Sequence, residues 1–329
     1  MQLQETNRIS QGFRTKEILS SSLSQPLANI HKSTHVLEDD SEYSDPEFDD
    51  SEDEEESVEE EEATNSTSII INQAKKEEIN IRSSCQMFLK TQTEIKTNYR
   101  EVAVKWLLKL HYNFHLANDV LFNAITYFDI LLSNKKIPKS ELQLYAVVCY
   151  WVSAKVDTRV QPSVAQFNNL SGEHFTNELF SRVEIELLGV LGYKLSFPTS
   201  KFFMRQPLTL LGADEKVTHV SRLVSEVALI KFDFMDYRPS INAAASVIIS
   251  FACLGHTDKA IEMIKTELLD GSNMESLLNC TKLQCKYSKE FIATHKESSS
   301  NEVKSLFDLV NMEIDFDNMF QIASESICV

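Results

Sequence analysis

Two stretches of this chain are apolar on every side, LYAVVCYWVSA inside a segment running roughly from Ser140 to Val156 and INAAASVIISFAC from Ile241 to Cys253, and they lie about a hundred residues apart. A helix with no polar face is stable only at the centre of a bundle, wrapped by amphipathic neighbours. Neither run approaches the ~18 apolar residues that a bilayer span needs. Two such helices therefore call for two bundles, and 329 residues leave room for both plus tails. With only 7 Gly and 7 Pro, the chain is short of the turn residues that sandwiches and barrels use every ten positions or so. The fold class is all-α.

The shell of the first bundle is legible by period. In YREVAVKWLLKLHYNFHL (99–116), Val102, Trp106, Leu110 and Phe114 recur at steps of four and predict one helix. Asp119 to Ser133 predicts a second, with Leu121, Ile125, Phe128 and Leu132 inside. Val164 to Leu170 is a short one. Thr176 is a plausible N-cap with Glu178 in the first turn of a helix running to about Leu191. Phe197-Pro198-Thr199 closes this unit, because proline cannot continue a helix and biases its predecessor away from helical angles. A second helical set follows, and a tail after about Asp308.

The formal charge of −17 belongs to one segment. From Glu38 to Glu62 there are 17 acids and no base; the other 49 − 17 = 32 acids balance the 32 Lys and Arg. Residues 1–84 are Ser-rich and then acidic, a composition that buries too little apolar surface to offset its ordering entropy, so an unfolded arm is expected there. Ser44, Ser51 and Ser57 each have an acid three residues on, a pattern for acid-directed kinases that also fits a plain solvated arm. A neutral body lacks the clustered cations that phosphate backbones require, so no nucleic-acid partner is expected. The six scattered cysteines form no CxxC pair, and the N-terminus carries no signal-peptide pattern; a reducing nuclear or cytoplasmic setting and no membrane partner are expected.

The motifs of chemistry are missing. His111 and His115 stand at metal-ligand spacing on one helix, without the Glu of HExxH or a third ligand nearby, and Cys280 and Cys285 lack zinc-ribbon partners. No GxGxxG, GxxxxGK[ST], GxSxG or kinase signature occurs. The reading is a non-enzyme without cofactor or metal.

The order of these helices resembles the cyclin family, nearer the A and B types, over roughly residues 85–310. YREVAVKWLLKLHYNF is similar to the opening of the cyclin box, with Arg100 six residues before Trp106. LFNAITYFDILLS carries an Asp, Asp129, as the family's second helix does. KSELQLYAVVCYWVSAKV is similar to the third, entered by Leu142-Gln143-Leu144 and left by Lys155. Glu184 and then LLGVLGYKLSFPTSKFF resemble the fifth helix and its exit, and VSEVALIKFDFMDYRPSINAAAS the matching part of a second cyclin fold.

The resemblance implies an arm (1–84), an N-terminal cyclin box (85–200), a C-terminal cyclin fold (201–310) and a tail (311–329), with five helices per fold. It implies a regulatory subunit that binds and activates a cyclin-dependent protein kinase as a heterodimer in cell-cycle control. In the family a Lys and a Glu hydrogen-bond the kinase around its mobile αC helix; Lys155 and Glu184 match them, over an apolar floor of Val152, Val156, Leu188, Tyr193 and Leu195. Tyr99, Val102, Trp106, Gln143 and Leu170 match the patch that docks substrates or inhibitors through Arg-x-Leu motifs. Arg100 and Asp129 match a structural pair. Lys105, Lys109 and Ile130 depart from a usual Asp, Glu and Arg, and Lys109 places a cation where an acid holds the ligand's Arg. Alternatives are a transcription-type cyclin, paired with a transcriptional kinase or binding nucleic acid, and a cyclin-fold adaptor that scaffolds without activating a kinase.

Overall fold

The structure is a computed structural model that describes residues 68–81, 83–159, 162–172, 175–252, 257–268 and 273–296, with residue 321. Among the described residues there are helices and no strands. The helices are α1 (68–78), α2 (Cys85–Thr91), α3 (Thr97–Phe114), α4 (Asn118–Asn134), α5 (Leu142–Asp157), α6 (Val164–Ser171), α7 (Asn177–Leu191), α8 (Ser200–Leu210), α9 (Glu215–Ile230), α10 (Pro239–Ala252), α11 (Thr257–Glu267) and α12 (Met274–Lys296). None is long and apolar enough to cross a membrane.

Each bundle is built round one of the two apolar helices. In the first, α5 packs against α3, α4 and α7, and residues 144–150 are all buried. In the second, α10 packs against α8, α9, α11 and α12, and every residue from Ser240 to Ala252 except Asn242 is buried. The small residues Ala243, Ala244 and Ala245 let neighbouring helices approach closely, and Ser246 and Ser250 satisfy their hydroxyls on carbonyls of their own helix.

The helix ends follow ordinary capping chemistry. The Thr176 hydroxyl accepts from the Leu179 N–H, as its place before Glu178 predicts. Thr199, next to Pro198, caps α8 by accepting from the Phe202 N–H. On α3 the inward row is Arg100, Ala103, Leu107 and His111 as well as Trp106 and Leu110, while Val102 and Phe114 are half-buried. The core-facing row is thus shifted by one position from the apolar stripe, because Arg100 and His111 hide it from a search for apolar period.

The N-terminal arm does not extend to 84. Residues 68–78 are helical, and Ile71 and Ala74 pack into the core of the second bundle. The buried Glu78 carboxylate accepts from the Ser240 N–H at 2.9 Å and the Ser240 hydroxyl at 2.7 Å. It thereby satisfies a free N–H in the first turn of α10, where helix geometry leaves amides unpaired and favours an anion. Burial pushes the Glu78 pKa up, with the Ser240 bonds opposing. The serine-rich and acidic composition upstream masks this short amphipathic segment. Residues 1–67, with Ser44, Ser51 and Ser57, and the tail other than residue 321 lie outside the described residues.

Arg100 joins the bundles. Its guanidinium is 2% exposed and donates to both Asp129 oxygens, Nε at 2.9 Å and Nη2 at 2.6 Å. Nη1 reaches the carbonyls of Leu229 and Ile230 at 2.7 Å each. Those carbonyls end α9, so the pairing of α3 with α4 also caps a helix of the second bundle. Beside it, Glu101 accepts from the Phe232 N–H at 3.2 Å, and Tyr112 and Arg222 both bond the buried Glu226. Breaking a buried pair strands the remaining charge, at a cost of about 3–5 kcal/mol. Arg100→Met is expected to destabilise the whole chain by that order in urea unfolding, and a loss under about 1 kcal/mol would refute the junction role.

Candidate functional site

The end of α5 meets the middle of α7 at Lys155 and Glu184. Lys155 sits in the last turn of α5, where a cation is favoured by the helix dipole, and Glu184 lies mid-way along α7. The two side chains form an ion pair, partly screened from solvent, and the Lys155 ammonium also lies 3.8 Å from the centre of the Trp151 ring. Trp151 in turn packs edge-on against Phe180, so the pair stands on an aromatic base anchored in the core.

On α5, on α7 and in the turn after α7, apolar side chains are exposed. Val156 is 50% exposed, Ile185 68% and Tyr193 76%, while Leu188 and Leu195 are half-buried. Tyr193 is held outward by backbone geometry. Gly192 and Tyr193 close α7 with φ of 62° and 60°, and the Tyr193 N–H donates to the Leu188 carbonyl at 2.9 Å. Gly192 takes that conformation without cost, whereas an aromatic residue there gives up roughly 1–2 kcal/mol.

Val152, expected in the apolar floor, is 1% exposed and belongs to the core of the first bundle. Because α5 is apolar all round, its sequence does not disclose which valine faces out. Ile185 was not expected there. It is masked in sequence by the flanking Glu184 and Glu186, and only the position of Glu184 on the folded helix shows that its neighbour faces water.

The second expected patch is divided between interior and surface. Tyr99 and Trp106 are buried in the first core, with Trp106 5% exposed, and Val102, Gln143 and Leu170 are half-buried. The Gln143 Nε2 is buried without a hydrogen-bond partner. Lys105 and Lys109 are exposed along the outer side of α3, and Lys139 donates to the Tyr99 hydroxyl at 2.8 Å. Ile130, in place of a usual Arg, is buried in the core.

No three His, Cys, Asp or Glu side chains among the described residues converge as metal ligands. His111 is a core group: its Nδ1 lies 3.0 Å from the Tyr150 hydroxyl and its Nε2 3.3 Å from the Asn118 Oδ1. Since the amide oxygen only accepts, the neutral ring carries its proton on Nε2 and accepts from Tyr150 on Nδ1. Cys280 and Cys285 are both buried in the second bundle.

Comparison with known proteins agrees with this architecture. The model of the cyclin N-terminal domain matches residues 69–196, and that of the cyclin C-terminal domain residues 198–309. The chain belongs to the cyclin family. Among curated relatives it is 28% identical to Cyclin-B1-3 of Arabidopsis thaliana over 208 residues, 63% of this chain and 50% of that protein. It is likewise 28% identical to G2/mitotic-specific cyclin-A of Hydra viridissima over 215 residues, 64% of this chain and 50% of that one. The match thus spans about half the length of each relative. Among solved structures, a viral cyclin from herpesvirus saimiri shares the fold with a TM-score of 0.57 at 19% identity, over 67% of this chain and 97% of that one.

Burial drives the His111 pKa down to about 4, with the Asn118 bond opposing and Arg222 adding. The unfolded imidazole titrates near 6.5, so between the two values the unfolded chain binds the extra proton and stability rises with pH. The contribution is complete above pH ~6.5 and is lost on acidification toward 4, by roughly 3 kcal/mol at 1.36 kcal/mol per unit. Urea midpoints measured across pH 7 to 4 are expected to fall. His111→Gln should flatten that part of the profile, and an unchanged slope would contradict the assignment.

Proposed function

We propose that this cyclin binds a cyclin-dependent protein kinase through the Lys155–Glu184 face and activates it, performing no reaction of its own. The observation that carries the reading is the ion pair itself, set at the surface amid Val156, Ile185, Leu188 and Tyr193. Kinase activity needs an ion pair between the αC Glu and a strand-borne Lys, and a rigid surface that seats αC favours the state in which that pair forms. The apolar ring supplies area to bury against such a helix. Lys155 and Glu184 supply one donor group and one acceptor group for its backbone ends. In the free chain each satisfies the other, so binding exchanges one set of hydrogen bonds for another, and the apolar contact provides the net gain.

The printed name of the Hydra relative, a G2/mitotic-specific cyclin-A, places that protein at G2 and mitosis, which supports a role in cell-cycle control for this one. The partner is a single kinase subunit, in a heterodimer acting in the nucleus or the cytoplasm.

The test is co-purification with a cyclin-dependent kinase, followed by a phosphorylation assay on a Ser/Thr peptide. Lys155→Ala combined with Glu184→Ala is expected to abolish both binding and activation. The melting temperature should move little, because a pair open to solvent contributes only about 0.2–1 kcal/mol and this one is still partly solvated. Tyr193→Ser should weaken binding in the same assay without loss of fold. Undiminished kinase binding by the double variant would remove this face from consideration.

A further inference from the structure

The outer side of α3 carries two cations that form no ion pair among the described residues. Lys105 and Lys109 are one helical turn apart, both exposed, and neither has an ion-pair partner among the described residues. The nearest acid, Glu101, is engaged with Lys231 at 3.8 Å and with the Phe232 N–H. Lys105 is exposed by area, yet enough protein surrounds its ammonium to lower its pKa; Lys231 and Lys109 push in the same direction, and Glu101 opposes. A third cation, Lys139, lies over Tyr99 at the N-terminal end of this strip. Between the lysines and Tyr99 the half-buried Val102 faces outward.

The same chain holds the complement. Outside Glu38–Glu62 its acids and bases balance, whereas inside that segment 17 acids stand with no base, interrupted by Tyr43, Phe48 and Val58. Glu62 is six residues from the first described residue of α1, whose other end is fixed by Glu78 to α10. Residue 50, near the segment's middle, is 18 residues from α1, about 60 Å if extended. As a flexible coil that length averages about 23 Å. A folded body of this size has a radius of gyration of about 17 Å, so the extended tether is longer than the body is wide. Tethering supplies an effective concentration of order mM, at which individually weak charge contacts suffice.

We propose that the acidic segment Glu38–Glu62 docks in cis on the α3 strip formed by Lys105 and Lys109 beside Tyr99 and Val102. The docked arm covers this side of the first bundle and leaves the Lys155–Glu184 face open. An anionic partner competes for the strip, and rising salt releases it.

The experiment is zero-length carbodiimide cross-linking of the full chain at low protein concentration, with peptide mapping. Acids of 38–62 are expected to join Lys105 and Lys109 well ahead of Lys216, Lys259 and Lys282, exposed lysines elsewhere on the body. These links should disappear at about 0.5 M salt, where screening acts within a few Å. A second readout needs no cross-linker. Cleavage of the arm by a Glu-specific protease should speed up about fivefold in Lys105→Gln/Lys109→Gln, with thermal melting as the folding control; this is the change expected when a weak ion-pair contact of about 1 kcal/mol is lost. Links spread evenly over all exposed lysines would overturn the proposal. So would links that form only between molecules and grow with concentration, which would make a second copy the occupant, or cleavage as slow in the variant as in the parent.

Discussion

The guanidinium of Arg100 answers three demands at once. It neutralises a carboxylate on α4, it fills the space between α3 and α4, and it completes the last turn of α9 from the other bundle. No other side chain type has the donors to do this. Lysine offers a point charge, and the planar fork of arginine alone meets a carboxylate with two parallel bonds while a further nitrogen addresses carbonyls. The relative placement of the two bundles, and hence of every surface they present, is tied to this group and to the Glu226 cluster beside it. Desolvating those charges is costly, and what the fold gains in return is a defined seam rather than two loosely joined halves.

The candidate contact face has the opposite character. Its charged pair is partly solvated, its apolar residues are exposed, and one of them occupies a strained conformation. The interior of the described residues is close-packed with few side-chain polar atoms left unpaired, Gln143 Nε2 among them, and Val156, Ile185 and Tyr193 are among the apolar side chains that meet water. That partition separates stability from recognition. Residues such as Val152 and Trp106, which from spacing alone look equally eligible for contact, belong to the first category because they lie under the surface.

Much of this was legible in the sequence because burial leaves strong period signals. The two all-apolar helices, the Thr176 cap and the break at Pro198 are local features, and they fall where spacing puts them. What was hidden depends on distant partners. The packing of Ile71 and Ala74 in α1 is set by helices far along the chain, so composition alone assigns that segment to an arm. The sequence already argues against a metal at His111, but its core partners Tyr150 and Asn118 are not legible there. Which flank of α5 and α7 turns outward is decided by tertiary contacts, and that alone exposes Ile185 and withdraws Val152.

Several helix ends at the seam are completed by side chains from far away in sequence. Glu78 caps α10 from 162 residues upstream, and Arg100 caps α9 from about 130. Side chains matched to the helix dipole, an anion at the amino end and a cation at the carboxyl end, stand where local caps would otherwise be. Closing loops of that length costs entropy before any contact rewards it. The C-terminal end of α9 and the N-terminal end of α10 are thus completed by contacts of long sequence separation. Because α1 and the first bundle are synthesised before α9 and α10, the side chains that complete these two helix ends are already made when the helices appear.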